Sequence, residues 1–435
     1  MLYVKQIILI VLLFISSTDA QMINRYGTTT GNFLEIGVDS EGSSMGEAFV
    51  AVTNNISSIY WNPAGLSSLK TPVLSFMSQP WLVGIDMTFT AGALIIPGVG
   101  NIGFGLTQMN YGDMDVTTLE YQEGTGEKFT ASDMAATLTF SRKIVSWFAF
   151  GSNLKYIRSN IWHSSASAIA VDLGVLVNTK FFSFSGKEED GMNIGMSISN
   201  YGTRMRFDGI DIYQPVDISE FEEGNYGDVA GQFRPSEWEL PLIFRSGVAL
   251  KPLVTTISDL TVSADALHPN NNSESINLGA ALDNKIPGVG VFSVRGGVKA
   301  IYMDNPEYGY TAGLGLKMFY LGNKFISIDY AYKAIGLLGN VHVYTIGFSS
   351  ISLDVHDSYI FLIHAIFANP SDGYTVYAYV PMLCPVDDSD QLLNLEFPYF
   401  SLFLYYTISL TGLSRLFSYF FKINKGICST YRSWF

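Results

Sequence analysis

Between Pro72 and Ser350 the chain alternates. Apolar residues and small or polar residues take turns over runs of roughly ten, and turn signals separate the runs. In Phe325–Lys333, Ile326, Ile328, Tyr330 and Tyr332 share one face, and Ser327, Asp329, Ala331 and Lys333 share the other. Fourteen such segments can be marked, at 72–79, 84–96, 101–111, 130–143, 147–160, 164–179, 191–201, 239–251, 257–268, 273–284, 289–301, 307–319, 323–334 and 340–350. Their length suits a tilted strand crossing a bilayer. Strands with one apolar and one polar face need lipid on one side and water on the other, which predicts a closed transmembrane barrel.

The connections support that geometry. With the first strand running outward, the even-to-odd links are short: Pro97-Gly98-Val99-Gly100, Val145-Ser146, Lys285-Ile286-Pro287-Gly288 and Tyr320-Leu321-Gly322. The two longest links, 112–129 and 202–238, fall on the other side, and 180–190 is a middling exception. An even strand count returns both ends of the barrel to the periplasm. Outward faces carry Tyr308, Tyr310, Leu314, Leu316 and Met318, and Ile169, Val171, Leu173 and Val175. Inward faces carry the isolated charges Lys155, Asp172, Arg295, Lys299, Lys317, Asp329 and Lys333. On the lipid face a Lys or Arg would cost about 2–4 kcal/mol near the midplane.

Composition narrows the class. Charged residues make up 15% of the 435, aromatics 14%, and Gly numbers 41. Soluble domains carry nearer a quarter charged residues. The net charge of −14 argues against nucleic acid as a partner. Residues 1–20 read as a secretory signal, with Lys5, an apolar core from Ile7 to Ile15 too short to span a bilayer, and Thr18-Asp19-Ala20 as the cleavage region. Cys384 and Cys428 both fall in the last fifth, so the strand region holds no thiolate site. No nucleophile elbow, phosphate loop or zinc-protease motif occurs, and the chain reads as non-enzymatic, without cofactor or metal. His163-Ser164 and His268 read as solvated loop residues. The acidic run Asp208, Asp211, Asp217, Glu220, Glu222, Glu223 lacks the spacing of a calcium loop.

Residues 21–71 hold the sharpest local pattern: Ser44-Met45-Gly46-Glu47-Ala48-Phe49-Val50-Ala51-Val52-Thr53-Asn54-Asn55, then Ile59-Tyr60-Trp61-Asn62-Pro63-Ala64-Gly65-Leu66. The first part reads as a short amphipathic helix. The second bends at Asn62, because a residue before proline avoids the helical region. This stretch resembles the hatch segment of the FadL-like outer-membrane barrels. The resemblance sharpens to the PorV/PorQ family associated with type IX secretion. It is carried by Phe33-Leu34-x-Ile36-Gly37-Val38, Met45 to Val52 and Tyr60 to Leu66. It continues in Tyr111-Gly112-Asp113-Met114, Glu123 to Glu127 with Ala131-Ser132-Asp133, Lys155-Tyr156-Ile157-Arg158, Ser197 to Gly202, Asp265 to Asn270, and Asp329 to Tyr332 with Leu338 to His342. It covers about 29–350. Asp39, Ser40, Glu41 and Gly42 depart from the family's basic or small residues.

The resemblance implies an all-β, 14-stranded antiparallel barrel over 72–350 with a small N-terminal helical hatch at 21–71. The hatch motif would be Met45, Gly46, Ala48, Phe49, Tyr60, Trp61, Asn62, Pro63, Ala64 and Gly65. It implies an outer-membrane component of protein export and surface attachment in a Gram-negative-type bacterium, with secreted proteins or export components as partners beside outer-membrane lipid. The alternative it implies is a FadL-like channel for hydrophobic small molecules, which predicts an apolar path past the hatch and a lateral gap in the wall. Residues 351–435 lose the alternation, and Phe397–Ser414 reads as an apolar helix. This tail is expected to be non-native, translated past a frameshift or lost stop, with a true C-terminal anchor as the alternative.

Overall fold

The alternation closes on itself. The computed structural model describes residues 26–52, 54–183, 190–217, 228–303, 306–320 and 324–349. By its contacts the chain divides into Met1–Ser352 and Leu353–Phe435, and the described residues all belong to the first unit. The leader, the tail, residues 184–189 of the 180–190 link, and Glu220, Glu222 and Glu223 lie outside the described residues.

The ring consists of β1 (Val73–Pro80), β2 (Asp86–Ile96), β3 (Gly100–Asp115), β4 (Lys128–Val145), β5 (Phe148–Ile161), β6 (Ser164–Asn178), β7 (Asn193–Gly202), β8 (Ile243–Val254), β9 (Ser258–Pro269), β10 (Ser275–Ile286), β11 (Gly290–Ile301), β12 (Tyr310–Tyr320), β13 (Lys324–Ile335) and β14 (Gly339–Ser349). Each pairs antiparallel with its sequence neighbour, and β1 pairs with β14 from Val73↔Ser349 to Ser78↔Tyr344. The sheet is therefore a closed 14-stranded antiparallel barrel. Beyond the ring, Asp208–Gly209 adds to β6, and Tyr213–Asp217 pairs with Asp228–Gln232 in a separate hairpin.

The outer face is apolar. Phe104, Leu138, Leu154, Ile169, Leu173, Ile198, Phe244, Val262, Leu278, Val294, Leu314 and Ile346 are all exposed on successive strands. A belt of this extent on a closed barrel is the form in which strands cross a bilayer. Tyr308 departs from the expected outward set. It precedes the start of β12 at Tyr310, so the alternation does not reach it, and the ammonium of Lys299 sits 4.1 Å from its ring centroid inside the bore. Two short turns share the sequence Pro-Gly-Val-Gly, at 97–100 and 287–290; Gly98 (φ 79°) and Gly288 (φ 75°) take the left-handed conformation.

Residues 33–52 and 56–69 pack against the inner face of the wall, from Ser40 against β14 to Asn62 against β6. The expected helix over Ser44–Asn55 forms instead as a single turn at Ser40–Ser44. Gly46 (φ 65°) and Glu47 (φ 62°) are left-handed, which ends any helix there. Close approach of this inner segment to the wall depends on inward glycines. A Cβ on Gly174 would meet Pro63 Cδ at 2.7 Å, and one on Gly103 would meet Leu66 Cδ2 at 2.8 Å. On Gly279, Gly297 and Gly313 it would run into Met45, Gly46 and Ser44.

At Gly297 the obstructing atoms are backbone, with no side chain free to turn away. Gly297→Ala is expected to cost about 1–3 kcal/mol through overpacking. Gly92→Ala, whose Cβ would meet only Leu74 Cδ1 at 3.5 Å, should stay within about 0.5 kcal/mol. Thermal loss of the barrel's heat-modifiable gel mobility measures both.

Candidate functional site

Two arrangements distinguish the bore: a charged and aromatic inner segment, and an unzipped seam in the wall beside it.

The inner segment is pinned through its own backbone. Asn62 donates from Nδ2 to the carbonyls of Val50 (2.9 Å) and Val175 (3.0 Å), and its Oδ1 accepts from the Ala64 amide (3.1 Å). It thereby ties the two halves of the motif to β6. A Cβ on Gly151 would collide with the backbone of Pro63 and Ala64, and the Gly65 amide donates to the Asn62 carbonyl at 2.9 Å. The Gly46 amide donates to Thr311 Oγ1 (2.8 Å) on β12. Met45, Ala48, Phe49 and Trp61 are buried, with Phe49 and Tyr60 each edge-on to the Trp61 ring. The Tyr60 hydroxyl donates to the Leu34 carbonyl (3.0 Å).

Six of the seven inward charges gather into three groups. Lys299 and Lys333 hold Glu47 of the inner segment at 2.7 and 2.9 Å. Arg295 bonds Asp329 at 2.7 Å and reaches Glu41 at 3.5 Å. Lys155 bonds Asp172 at 2.7 Å. Lys317 lies over the Phe325 ring, 3.7 Å from its centroid. Burial opposes ionisation of Glu47, but the charges and hydrogen bonds of Lys299 and Lys333 outweigh it and hold the carboxyl down to about 2. Asp39 goes the other way. Burial, with Glu41 and Asp329 nearby, pushes it up to about 7, against a hydrogen bond from Ser57 and the charge of Arg295.

Asp172 does more than neutralise Lys155. It also accepts from Asn153 Nδ2 (2.7 Å) and from the backbone amide of Asn200 (2.7 Å). Asn200 is left-handed (φ 66°), and the β6–β7 register shifts between Val171 and Leu173. This is a bulge, with an extra β7 residue drawn onto an inward carboxylate. Ladder pairing stops at Ala170↔Gly202 and resumes only as Ser165↔Asp208 and Ser164↔Gly209. Between them the bridging bonds are Thr203 N to the Ile169 carbonyl (2.9 Å) and Ile169 N to Thr203 Oγ1 (3.1 Å). Among the described residues, no ladder pairing joins 166–168 to 204–207.

The seam opens a cleft of about 760 Å³ at the end of the barrel that carries the long connections. Its rim is Ser165, Ser167, Thr203, Arg204, Arg206, Asp208 and Glu237. Arg204 and Arg206 are held outward by Glu239 (2.7 Å) and Glu237 (3.3 Å). Between the two arginines Met205 turns inward, 1% exposed. It joins Ala166, Ala168, Ile157, Phe33 and Leu34 in an apolar cluster. The polar cleft is thus backed by a buried apolar cluster, and Ala166 belongs to both. The sequence pattern missed this site, although β6 has 15 residues and β7 only 10. At the top of β6, His163 meets Asp211, and the Ser164 hydroxyl bonds Asp211 rather than the imidazole. His268 bonds Glu274.

No protein-family model matches the sequence, and no curated protein does. Solved structures with similar architecture include a FadL homologue of Pseudomonas aeruginosa (11% identity, TM-score 0.42, covering 71% of this chain and 97% of that one). The toluene transporter TodX of Pseudomonas putida (10%, TM-score 0.42, 76% and 98%) and the toluene transporter TbuX of Ralstonia pickettii (8%, TM-score 0.43, 72% and 97%) are similar to the same extent. At these scores the likeness carries nothing about mechanism.

Two consequences are measurable. Glu47→Gln leaves two cations buried without a carboxylate, so unfolding should be easier by about 3–5 kcal/mol, and Lys333→Met in that background should restore part of the loss. The folded state binds a proton at Asp39 up to about pH 7, whereas an unfolded Asp releases it near ~4. The contribution of Asp39 to stability therefore falls as pH rises from about 4 to 7. Asp39→Asn should raise the melting temperature by several degrees at about pH 8, and the advantage should vanish near pH 4.

Proposed function

We propose that this protein is an outer-membrane channel that admits small hydrophobic molecules sideways through the β6–β7 seam. One observation carries the reading: the β6–β7 ladder is interrupted where its inner side is apolar and its rim polar, Met205 pairing with Trp238 instead of with β6. Hydrocarbon penalises unpaired backbone by several kcal/mol per group, so a break in the ladder belongs at the water interface or at a passage. An apolar solute dissolved in the lipid or held at its surface would slide past Ser167 and Thr203 onto Ala166, Ala168 and Met205. The inner segment, seated on glycines and held by Glu47, occupies the bore behind the seam.

A second reading, binding of exported proteins at the outer surface, draws on the resemblance of residues 29–350 to secretion-associated barrels. The hairpin Tyr213–Asp217 with Asp228–Gln232 favours it by exposing Tyr213, Val216 and Val229. The comparisons with known proteins add nothing to it. Recovery of no secreted protein with the intact barrel would remove it.

Proteoliposomes carrying the barrel should take up a neutral apolar dye faster than empty ones. Ala168→Trp, which fills the floor of the seam, should cut that rate roughly tenfold, about 1.4 kcal/mol in access, while heat-modifiability persists. Equal uptake by both proteins would sink the channel reading.

A further inference from the structure

The outer end of the seam is closed by two residues, Asp208 and Gly209, paired with Ser165 and Ser164. So short a pairing is marginal alone. Gln232 bonds Asp208 (2.9 Å) and the Phe233 amide bonds the Ile212 carbonyl (2.9 Å), and one carboxylate ties the segment to the top of β6. Asp211 accepts from His163 Nδ1 (2.9 Å), from the His163 backbone amide (3.3 Å) and from Ser164 Oγ (3.2 Å). The imidazole is clamped from its other side, stacked on Trp162 with centroids 4.4 Å apart and planes 28° from parallel. Trp162 itself is left-handed (φ 50°), a strained state for a bulky residue, and its amide is fixed by the Thr130 carbonyl (3.0 Å).

Charge on the imidazole adds Coulombic attraction to a carboxylate that already accepts its bond, and an indole face attracts a cation. The surrounding charges are otherwise engaged. Asp208 takes the amide of Gln232 (2.9 Å), Arg158 on β5 donates to Asn160 (3.0 Å), and Arg206 holds Glu237. From β4 the contact on the Trp162 side is the Phe129 ring. Among the described residues, Asp211 is the charged group bonded to His163.

We propose that His163 and Asp211 form a proton-controlled clasp on the seam: closed when the imidazole is charged, loosened when it is neutral. The proposal rests on the reading of the seam as an entry path and adds its regulation. The Asp211 carboxyl is held below its ordinary range, first by the bond from His163 and against desolvation, so it stays ionised across the neutral range. Imidazole changes charge between about pH 5 and 8. Raising pH through that range therefore weakens the clasp, and lowering it tightens the clasp. Loss of the Asp208–Gly209 pairing would lengthen the seam along β6.

Spin labels at Ser167→Cys and Ile210→Cys, with Cys384 and Cys428 changed to serine, report the distance across the clasp in proteoliposomes. Between about pH 5.5 and about pH 8, the distribution should shift to longer distance and broaden. His163→Gln and Asp211→Asn should each abolish that shift. An unchanged distribution in the parent, or a shift retained in His163→Gln, overturns the clasp. Apolar-dye uptake in the same vesicles separates the two claims. Widening without uptake at either pH leaves the clasp and removes the channel; uptake without widening removes the clasp and leaves the channel.

Discussion

The governing constraint is that backbone amides and carbonyls in hydrocarbon have no water to turn to. A sheet meets it only by closing, and this one closes through β1 and β14. Once closure is imposed, most of the structure follows. Strand faces must alternate between lipid and lumen, turns on one side can be minimal, and every departure from pairing stands out. The main departure, above Ala170↔Gly202, is produced by Asp172 drawing the amide of Asn200 inward. A charge that sits safely beside Lys155 thus edits the hydrogen-bond ladder next to it.

The second determinant is the fit between the wall and the segment within it. Inward glycines let backbone meet backbone, and polar side chains cover the rest. Ser40 reaches Thr345 and Val343 on β14, and the Asp39 amide points to the Met77 sulfur on β1. Towards β11–β13 the segment meets charges and Thr311. Towards β3–β6 it is bonded by Asn101, Ser141 and Asn153 along Ile59–Leu66 and packs Phe33 and Leu34 against Ile157, Met109 and small apolar residues. That apolar cluster is the part of the bore the seam faces.

Much of this fold was legible in the chain. The alternation places strand boundaries within a few residues, because a two-sided environment writes a period of two into every strand. The Asn62 turn was also legible, since proline restricts its predecessor wherever it stands. The pattern failed where conformation depends on partners distant in sequence. Residues 44–52 have helical composition, but left-handed Gly46 and Glu47 follow from wall contacts that no local propensity encodes. Tyr308 sits one alternation beyond its strand and was captured by Lys299. The seam was invisible for a similar reason. Asp172 looks like any lumenal counter-ion, and its bond to Asn200 depends on a register that only three-dimensional pairing sets.

The location of the inner segment couples it to closure. Ser40 and Thr345 touch across 305 positions of sequence, and β14, which carries Thr345 and Val343, is the strand that seals the ring against β1. The segment's seat and the sheet's last joint thus share a strand. A substitution that unseats Ser40 removes bonds from that strand, and a joint that opens leaves the two unpaired edges that closure abolishes.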